Sequence, residues 1–337
     1  MSLLKVENLS VGFRSGKRVL PVIDGLSFEI ARGEILALVG ESGCGKSAGC
    51  LALTRLNVPP AVISSGKAFF EKRSGEQAEL LTLSDRELRK IRGGGIAYIF
   101  QEPLSSLNPV LRIGDQIAEV LALHRSEVTD RAAETERLLA SVGIPDPRAR
   151  MMNFPHELSG GMQQRVMIAM ALAGNPDLLI ADEPTTALDV TIQAQIMELL
   201  EELRRKNGTS VILITHNFGV VAQLADRVAV MYAGRIVETA PAAELISAPR
   251  HPYTKALLAA VPVLGGSKKE LVTIPGQVPA PDNFPAGCRF CGRCQEVAPG
   301  AELRCGEKVP PCCEVSPGHW VSCWNLAGSG RKDDRNV

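Results

Sequence analysis

The sequence predicts an α/β fold built on a mostly parallel sheet, and two observations carry that prediction. Ile35–Val39 and Leu178–Asp182 are short and almost wholly apolar, as strands buried on both faces of a sheet must be. Helical patterns alternate with runs of this kind along most of the chain. The 337 residues are 45% hydrophobic and 22% charged, a globular balance whose length suits two domains or one domain with attachments.

Taken in order, residues 3–9, 26–30 and 35–39 read as strands punctuated by Gly and Arg-Gly turns. A Gly-rich loop follows, then a helix over 46–56 and a strand over 96–100. Between 105 and 165 the patterns are helical only, with helices over 113–123 and 129–141, so this block interrupts the sheet. After the strand at 178–182, residues 192–206 form an amphipathic helix that stops near Gly208. Strands over 211–215, 227–231 and 235–238 complete the series. Beyond about residue 260, Pro262, Pro275, Pro279, Pro281 and Pro285 mark an extended stretch leading into a cysteine cluster. We expect one domain over 1–260 and a Pro- and Cys-rich extension over 261–337.

Composition excludes several classes. Lys plus Arg is 37 and Asp plus Glu is 37, so no general electrostatic pull toward nucleic acid operates. Two Trp, three Tyr and nine Phe are too few for a base-stacking surface. No apolar run approaches the roughly 20 residues of a membrane span, and the N-terminus has no secretory apolar region. The expectation is a soluble chain.

Gly40-Glu41-Ser42-Gly43-Cys44-Gly45-Lys46-Ser47 fits G-x-x-x-x-G-K-[ST], between a predicted strand and a predicted helix. Glycines let the loop curl so that backbone N–H groups point at phosphate oxygens, and the helix N-terminus adds partial positive charge. Lys46 can reach the β and γ phosphates and the Ser47 hydroxyl can ligate Mg²⁺. Asp182, at the C-terminal end of a buried strand, is placed to hold Mg²⁺ beside Ser47. Glu183, one residue on, can orient or deprotonate a water. Alone, two acids at a strand exit are ordinary solvated groups; beside a phosphate loop they are a metal ligand and a base.

Leu158-Ser159-Gly160-Gly161-Met162-Gln163-Gln164-Arg165 resembles the signature loop of the ATP-binding cassette (ABC) ATPases, with Met162 in the fifth place of LSGGQ. The resemblance implies a P-loop NTPase cassette: a RecA-like core with an antiparallel β subdomain and an inserted helical subdomain, here followed by a small Cys-rich extension. It implies that Ser159, Gly160 and Gly161 face the ATP of an opposite cassette. It implies that Gln101 senses Mg²⁺ and the transmembrane partner and that Ala187-Leu188-Asp189 is the D-loop. His216 then contacts the γ-phosphate, and Phe13 lies under the adenine. Asn217 stands where many relatives carry Asp.

Phe100-Gln101-Glu102-Pro103-Leu104-Ser105-Ser106-Leu107-Asn108-Pro109 and His251-Pro252-Tyr253-Thr254-Lys255-Ala256-Leu257-Leu258 resemble the oligopeptide, dipeptide and nickel importer branch. So does the tail, with Gly287-Cys288-Arg289-Phe290, Arg293-Cys294, Cys305 and Pro317-Gly318-His319-Trp320-Val321-Ser322-Cys323. The branch implies an ATPase peripheral to the cytoplasmic face of the inner membrane. Its partners would be two permease subunits, a second cassette and an extracytoplasmic binding protein, with no nucleic acid. Its cofactors would be ATP and Mg²⁺.

Nine cysteines are unevenly placed: Cys44 and Cys50 lie early and read as small apolar packing residues. Without a signal peptide, the tail cluster reads as metal or redox chemistry before disulfides. Cys288, Cys294, Cys305 and Cys323 match the four tail cysteines of the branch, which implies a [4Fe–4S] cluster, with Zn²⁺ the alternative. Cys291, Cys312 and Cys313 are additional, and Cys288-x2-Cys291-x2-Cys294 resembles a ferredoxin run, so the ligand set stays open. Two other functions compete: a soluble ABC ATPase acting on DNA or ribosomes, and a regulator whose tail senses redox state or metal.

Overall fold

The computed structural model describes residues 2–185, 190–260, 273–297, 302–327 and 331–332. The chain opens with a long antiparallel hairpin, β1 (Ser2–Ser15) and β2 (Arg18–Ala31), turned at Gly16. After β3 (Ile35–Val39) and α1 (Lys46–Leu53), β4 (Ala61–Glu71) adds to the free side of β1, and β5 (Gln77–Glu79) pairs with β4. These four strands form one sheet, β2-β1-β4-β5. Sequence patterning reads only fragments of it. Register shifts in β1 near Leu9 and at Ser10, with Asn8 in the left-handed region, break the alternation that marks a strand.

The second sheet is the larger. Following α2 (Asp85–Ile91) come β6 (Ile96–Ile99) and a helical block: α3 (Pro103–Ser106), α4 (Ile113–His124), α5 (Arg131–Ser141), α6 (Pro147–Arg150) and α7 (Gly160–Ala173). The chain returns through β7 (Leu178–Asp182), α8 (Val190–Asn207), β8 (Ser210–Ile214), α9 (Phe218–Leu224) and β9 (Arg227–Tyr232). Strands β9-β3-β8-β7-β6 are adjacent and parallel. Their side chains alternate between two faces. Leu36, Leu38, Leu178, Ile180, Ile212 and Ile214 pack toward the antiparallel sheet, with Leu9, Ile23, Leu26 and Phe70. Ile35, Leu179, Ala181, Val211 and Leu213 pack toward the helical block and α8, with Ile117, Leu139, Val166 and Ile196. A strand apolar on both faces is thereby explained.

The tail departs from the sequence expectation of an irregular attachment. From β9 the chain turns at Ala233-Gly234 into antiparallel β10 (Arg235–Pro241), then α10 (Ala242–Ser247) and α11 (Pro252–Ala259). After α12 (Glu302–Glu307), β11 (Cys312–Ser316) and β12 (His319–Ser322) form a hairpin whose β12 pairs with β10, and β13 (Arg331–Lys332) pairs with β11. The cysteine-rich segment thus extends the main sheet to the order β13-β11-β12-β10-β9-β3-β8-β7-β6.

Among the contacts that fasten it are three. Phe290 is buried between Tyr232 and Tyr253, with ring centroids 5.1 and 5.3 Å away, a burial that contributes about 2 kcal/mol. Arg289 reaches Asp24 of β2 at 2.6 Å and the carbonyl of Ala233. His319, fully buried, bridges Glu238 of β10 (2.7 Å) and Glu244 of α10 (2.9 Å).

Burial alone pushes His319 down, but its bonds to Glu238 and Glu244 and their charges outweigh that and leave it raised. Burial alone pushes Glu238 up, but bonds from His319 and the amides of Arg250 and His251 leave it lowered. The imidazolium's contribution is complete below its ordinary 6.5 and is lost as pH rises through the raised value. The carboxylate's contribution is present above its ordinary 4.5 and is lost as pH falls through the lowered value. Tail docking is therefore strongest between those two values. Thermal melts at about pH 6 and about pH 8 should show stability falling on the alkaline side. His319→Gln should cost about 2–3 kcal/mol at the lower pH and flatten that decline; an unchanged pH profile would remove the triad as its cause.

Candidate nucleotide site

The residues the sequence singles out gather where the parallel strands end, the edge at which open α/β sheets bind ligands. β3 runs into Gly40–Ser47, β8 into His216, β7 into Asp182 and Glu183, and β6 into Gln101. Because β3, β8, β7 and β6 are neighbours in that order, four segments distant in sequence share one edge.

The loop curls as its glycines require. Gly40, Gly43 and Gly45 have φ of +154°, +79° and +103°. A Cβ on Gly40 would lie 2.1 Å from the carbonyl oxygen of Met231, so no larger residue fits. Gly45 immediately precedes α1, whose first turn carries no acid, leaving its N–H groups and partial positive charge for an anion. Lys46 is only 5% exposed; its ammonium donates to the carbonyls of Gly40 (2.8 Å) and Glu41 (3.0 Å) and lies 3.6 Å from Cys44 Sγ. It therefore sits inside the ring of the loop. Gly234 N–H donates to the Cys44 carbonyl (2.8 Å), which ties the loop to the β9–β10 turn.

The Ser47 hydroxyl bonds the Asp182 carboxylate. Burial raises Asp182 most; Ser47 and Lys46 oppose, and Glu183 adds to the rise. A hydroxyl and a carboxylate in contact next to a phosphate loop are the hard oxygen donors that suit Mg²⁺, and a cation there would favour the ionised carboxylate. Glu183 has φ +46°, unusual for a non-glycine residue, and its amide donates to the Ile214 carbonyl (2.9 Å). Its Oε1 lies 3.3 Å from His216 Nδ1. Glu183 is 17% exposed and His216 67% exposed, so the pair faces outward from the sheet edge. Asn217 caps α9, accepting from Gly219 N (2.9 Å) and Val220 N (3.4 Å), and so fixes the turn that carries His216. That gives the residue at this position a structural role.

Of the remaining predicted residues, Gln101 shares the sheet edge, whereas Phe13 and the start of α7 lie on other elements. Gln101 is exposed one strand over, beyond β6. Phe13 is 37% exposed on the β1–β2 hairpin, opposite Leu20. Ser159 caps α7 by accepting from Met162 N (3.4 Å), and an added Cβ on Gly160 meets nothing within 4 Å. The open start of α7 thus faces solvent rather than being packed over. Gln164, in the same helix, donates to the Pro184 carbonyl (2.7 Å) and links α7 to the exit of β7. Ala187, Leu188 and Asp189 lie outside the described residues. Cys44 and Cys50 are buried, as expected of packing residues.

Sequence reasoning missed two supports. The Tyr253 hydroxyl accepts from the Glu41 N–H at 2.8 Å, and Arg293 grips the Glu41 carboxylate. Tyr253 stands in a motif that marks a subfamily without stating a contact, and nothing in sequence joins position 293 to position 41. Cys288, Cys291, Cys294, Cys305 and Cys323 line one small cavity with His251, Phe290 and Trp324, whereas Cys312 faces a different cleft. Burial pushes Cys288 up to about 12, and Cys294 and Cys323 are also raised, in each case with neighbouring cysteines adding to the effect. Among the described residues, no three His, Cys, Asp or Glu side chains converge as they would on a single metal ion.

Comparison with known proteins agrees with this geometry. Residues 23–186 match the family model described as ABC transporter, and residues 237–300 match that described as oligopeptide/dipeptide transporter, C-terminal region. The chain is 47% identical over 326 residues to the dipeptide transport ATP-binding protein DppD of Bacillus subtilis (strain 168), covering 96% of this chain and 94% of that one. It is 48% identical over 328 residues to the oligopeptide transport ATP-binding protein AppD of the same organism, covering 96% of each. Among solved structures it resembles the dimeric post-hydrolysis state of the ATP-binding cassette MJ0796 bound to ADP and Pi. That match has a TM-score of 0.63 at 27% identity, over 71% of this chain and 98% of the other. The sheet-edge cluster, the full-length relatives and the shared cassette fold lead to one conclusion: this chain is an ATPase of the ABC transporter family.

Proposed function

We propose that the chain powers import of di- or oligopeptides, nickel being the other cargo class of its branch, by hydrolysing ATP at the Gly40–Ser47 edge. The observation that carries this is the joining of Ser47 to Asp182 and of Glu183 to His216 beside a curled phosphate loop. The names of the relatives at 47–48% identity support peptides as cargo. They give the soluble-ATPase and sensor alternatives no support.

In this reading the loop amides and Lys46 bind the β and γ phosphates, and Ser47, Asp182 and Gln101 hold Mg²⁺. The cation, when bound, neutralises phosphate charge during transfer. Glu183 takes the proton of the attacking water, and His216 holds Glu183 and reaches toward the γ-phosphate. Phe13 stacks on the adenine. Ser159, Gly160 and Gly161 of α7 bind the nucleotide of a second cassette, and Asp189 acts at the same junction. ATP then joins two cassettes, and hydrolysis separates them. Gln164 conveys the state of the β7 exit to α7 through Pro184.

The permease subunits would dock on the helical block, where Val110, Leu111 and Met152 are exposed large apolar side chains beside the Gln101 segment. Among the described residues no helix is long and apolar enough to cross a membrane, in keeping with a peripheral subunit on the cytoplasmic face of the inner membrane. An extracytoplasmic protein would deliver the peptide.

For the tail we propose that Cys288, Cys294, Cys305 and Cys323 hold a [4Fe–4S] cluster, with Cys291 as a competing ligand. Their common cavity supports it, because each cluster thiolate binds its own iron and four need not meet at one point. The same spread disfavours Zn²⁺, which draws four ligands around one ion. The group would staple a segment with little core of its own.

Glu183→Gln should leave ATP binding intact and lower kcat about 100-fold or more, with dimers persisting in ATP on size exclusion. A kcat near wild type would dismiss Glu183 as the base. Protein purified without oxygen should contain iron and acid-labile sulfide in equal amounts; zinc without sulfide, or neither metal, would overturn the cluster.

A further inference from the structure

Glu41, the second residue of the phosphate loop, is held from three directions. Its carbonyl accepts from Lys46 and its amide donates to Tyr253 of α11. Its carboxylate receives both arms of the Arg293 guanidinium, at 2.7 and 3.0 Å. Such a two-point pairing fixes orientation as well as distance. Arg293 is 7% exposed at its side chain, and its other bonds go to Tyr232 Oη (3.2 Å), the Pro275 carbonyl (2.8 Å) and the Gly276 carbonyl (3.3 Å). It ends the tight turn Cys291–Arg293, in which Arg293 N–H bonds the Phe290 carbonyl and Cys294 N–H bonds the Cys291 carbonyl. One residue of the cysteine turn is thus rigidly joined to one residue of the phosphate loop, across 252 positions of sequence.

We propose that Arg293 is a positioning residue for nucleotide binding: it neutralises and orients Glu41, so that the tail sets the affinity of the phosphate loop. The charge argument is specific. A carboxylate beside bound triphosphate repels it unless a cation is paired with that carboxylate. Without Arg293, Glu41 would swing free and carry its full charge at the loop. Lysine supplies charge but not the fork. The inference rests on Gly40–Ser47 being the ATP loop.

The test is ATP affinity, measured by titration of the full chain with Mg²⁺ and a fluorescent ATP analogue, with thermal melting alongside. Arg293→Gln should weaken binding about tenfold, and Arg293→Lys should fall between it and wild type. Glu41→Gln introduced into Arg293→Gln should restore part of the lost affinity, because the unpaired charge is gone; a purely structural role for Arg293 predicts no such rescue. Unchanged affinity in Arg293→Gln, or further loss in the double variant, overturns the proposal. Lys46→Ala serves as the control: if it binds the analogue as wild type does, the loop assignment itself fails and takes this inference with it. If only Lys46→Ala loses binding, the loop stands and the tail has no say in it.

Discussion

A phosphate-binding loop has to stay curled while offering its backbone N–H groups outward, so it cannot be held by a core of its own. The fold meets this constraint from the outside. Met231 crowds Gly40, the Gly234 amide takes the Cys44 carbonyl, Tyr253 takes the Glu41 amide, and Arg293 takes its carboxylate. From within, Lys46 donates to the Gly40 and Glu41 carbonyls, and the Cys44 amide donates to the Glu41 carbonyl. Three of these contacts come from β9, the β9–β10 turn and α11, and the fourth from the tail. The elements that look peripheral in sequence are therefore the walls of the mould.

The parallel strands do a different task. Strict alternation sends Leu178 and Ile180 to one layer and Leu179 and Ala181 to the other, which locks the register of β7 against β6 and β8. A slip of one residue would turn both sets out of their layers and carry Asp182 away from Ser47. The placement of two acids thus depends on apolar residues buried in the layers on either side of the sheet. On the helical side, buried Gln163 donates to the Pro155 and Leu158 carbonyls at the start of the signature segment, and buried Gln164 donates to the Pro184 carbonyl, so α7 is set against the β7 exit by a hydrogen bond rather than by charge.

Much of this was legible in the residues. Ile35–Val39, Leu178–Asp182 and the loop between Gly40 and Ser47 announce themselves because burial on two faces and φ above zero each demand a narrow set of residue types. The pairing of Ser47 with Asp182 followed from the motifs. Other parts were hidden for physical reasons. The bulged β1 conceals its periodicity, and β4 carries Ser, Gly and Lys on an exposed stretch. The β11–β12 hairpin is short, and its pairing with β10 is a long-range event that local composition does not encode. The same holds for Glu41 and Arg293: an ion pair between distant positions leaves no local mark. Spacing likewise did not tell that Cys291 lines one cavity with Cys288, Cys294, Cys305 and Cys323, while Cys312 lines a second cleft that Cys288 also borders.

The tail hairpin has one more consequence, for the edge of the main sheet. Strand β10 has β9 on one side, and β12 covers part of the other at Glu238 and Thr239. Without β12, that flank would be a row of unpaired N–H and C=O groups next to Ile236 and Val237, a template on which another chain can add a strand. The buried imidazole between Glu238 and Glu244 keeps the cover in place. The segment that braces the Gly40–Ser47 loop therefore also covers this sheet edge and denies neighbouring copies a strand to pair with.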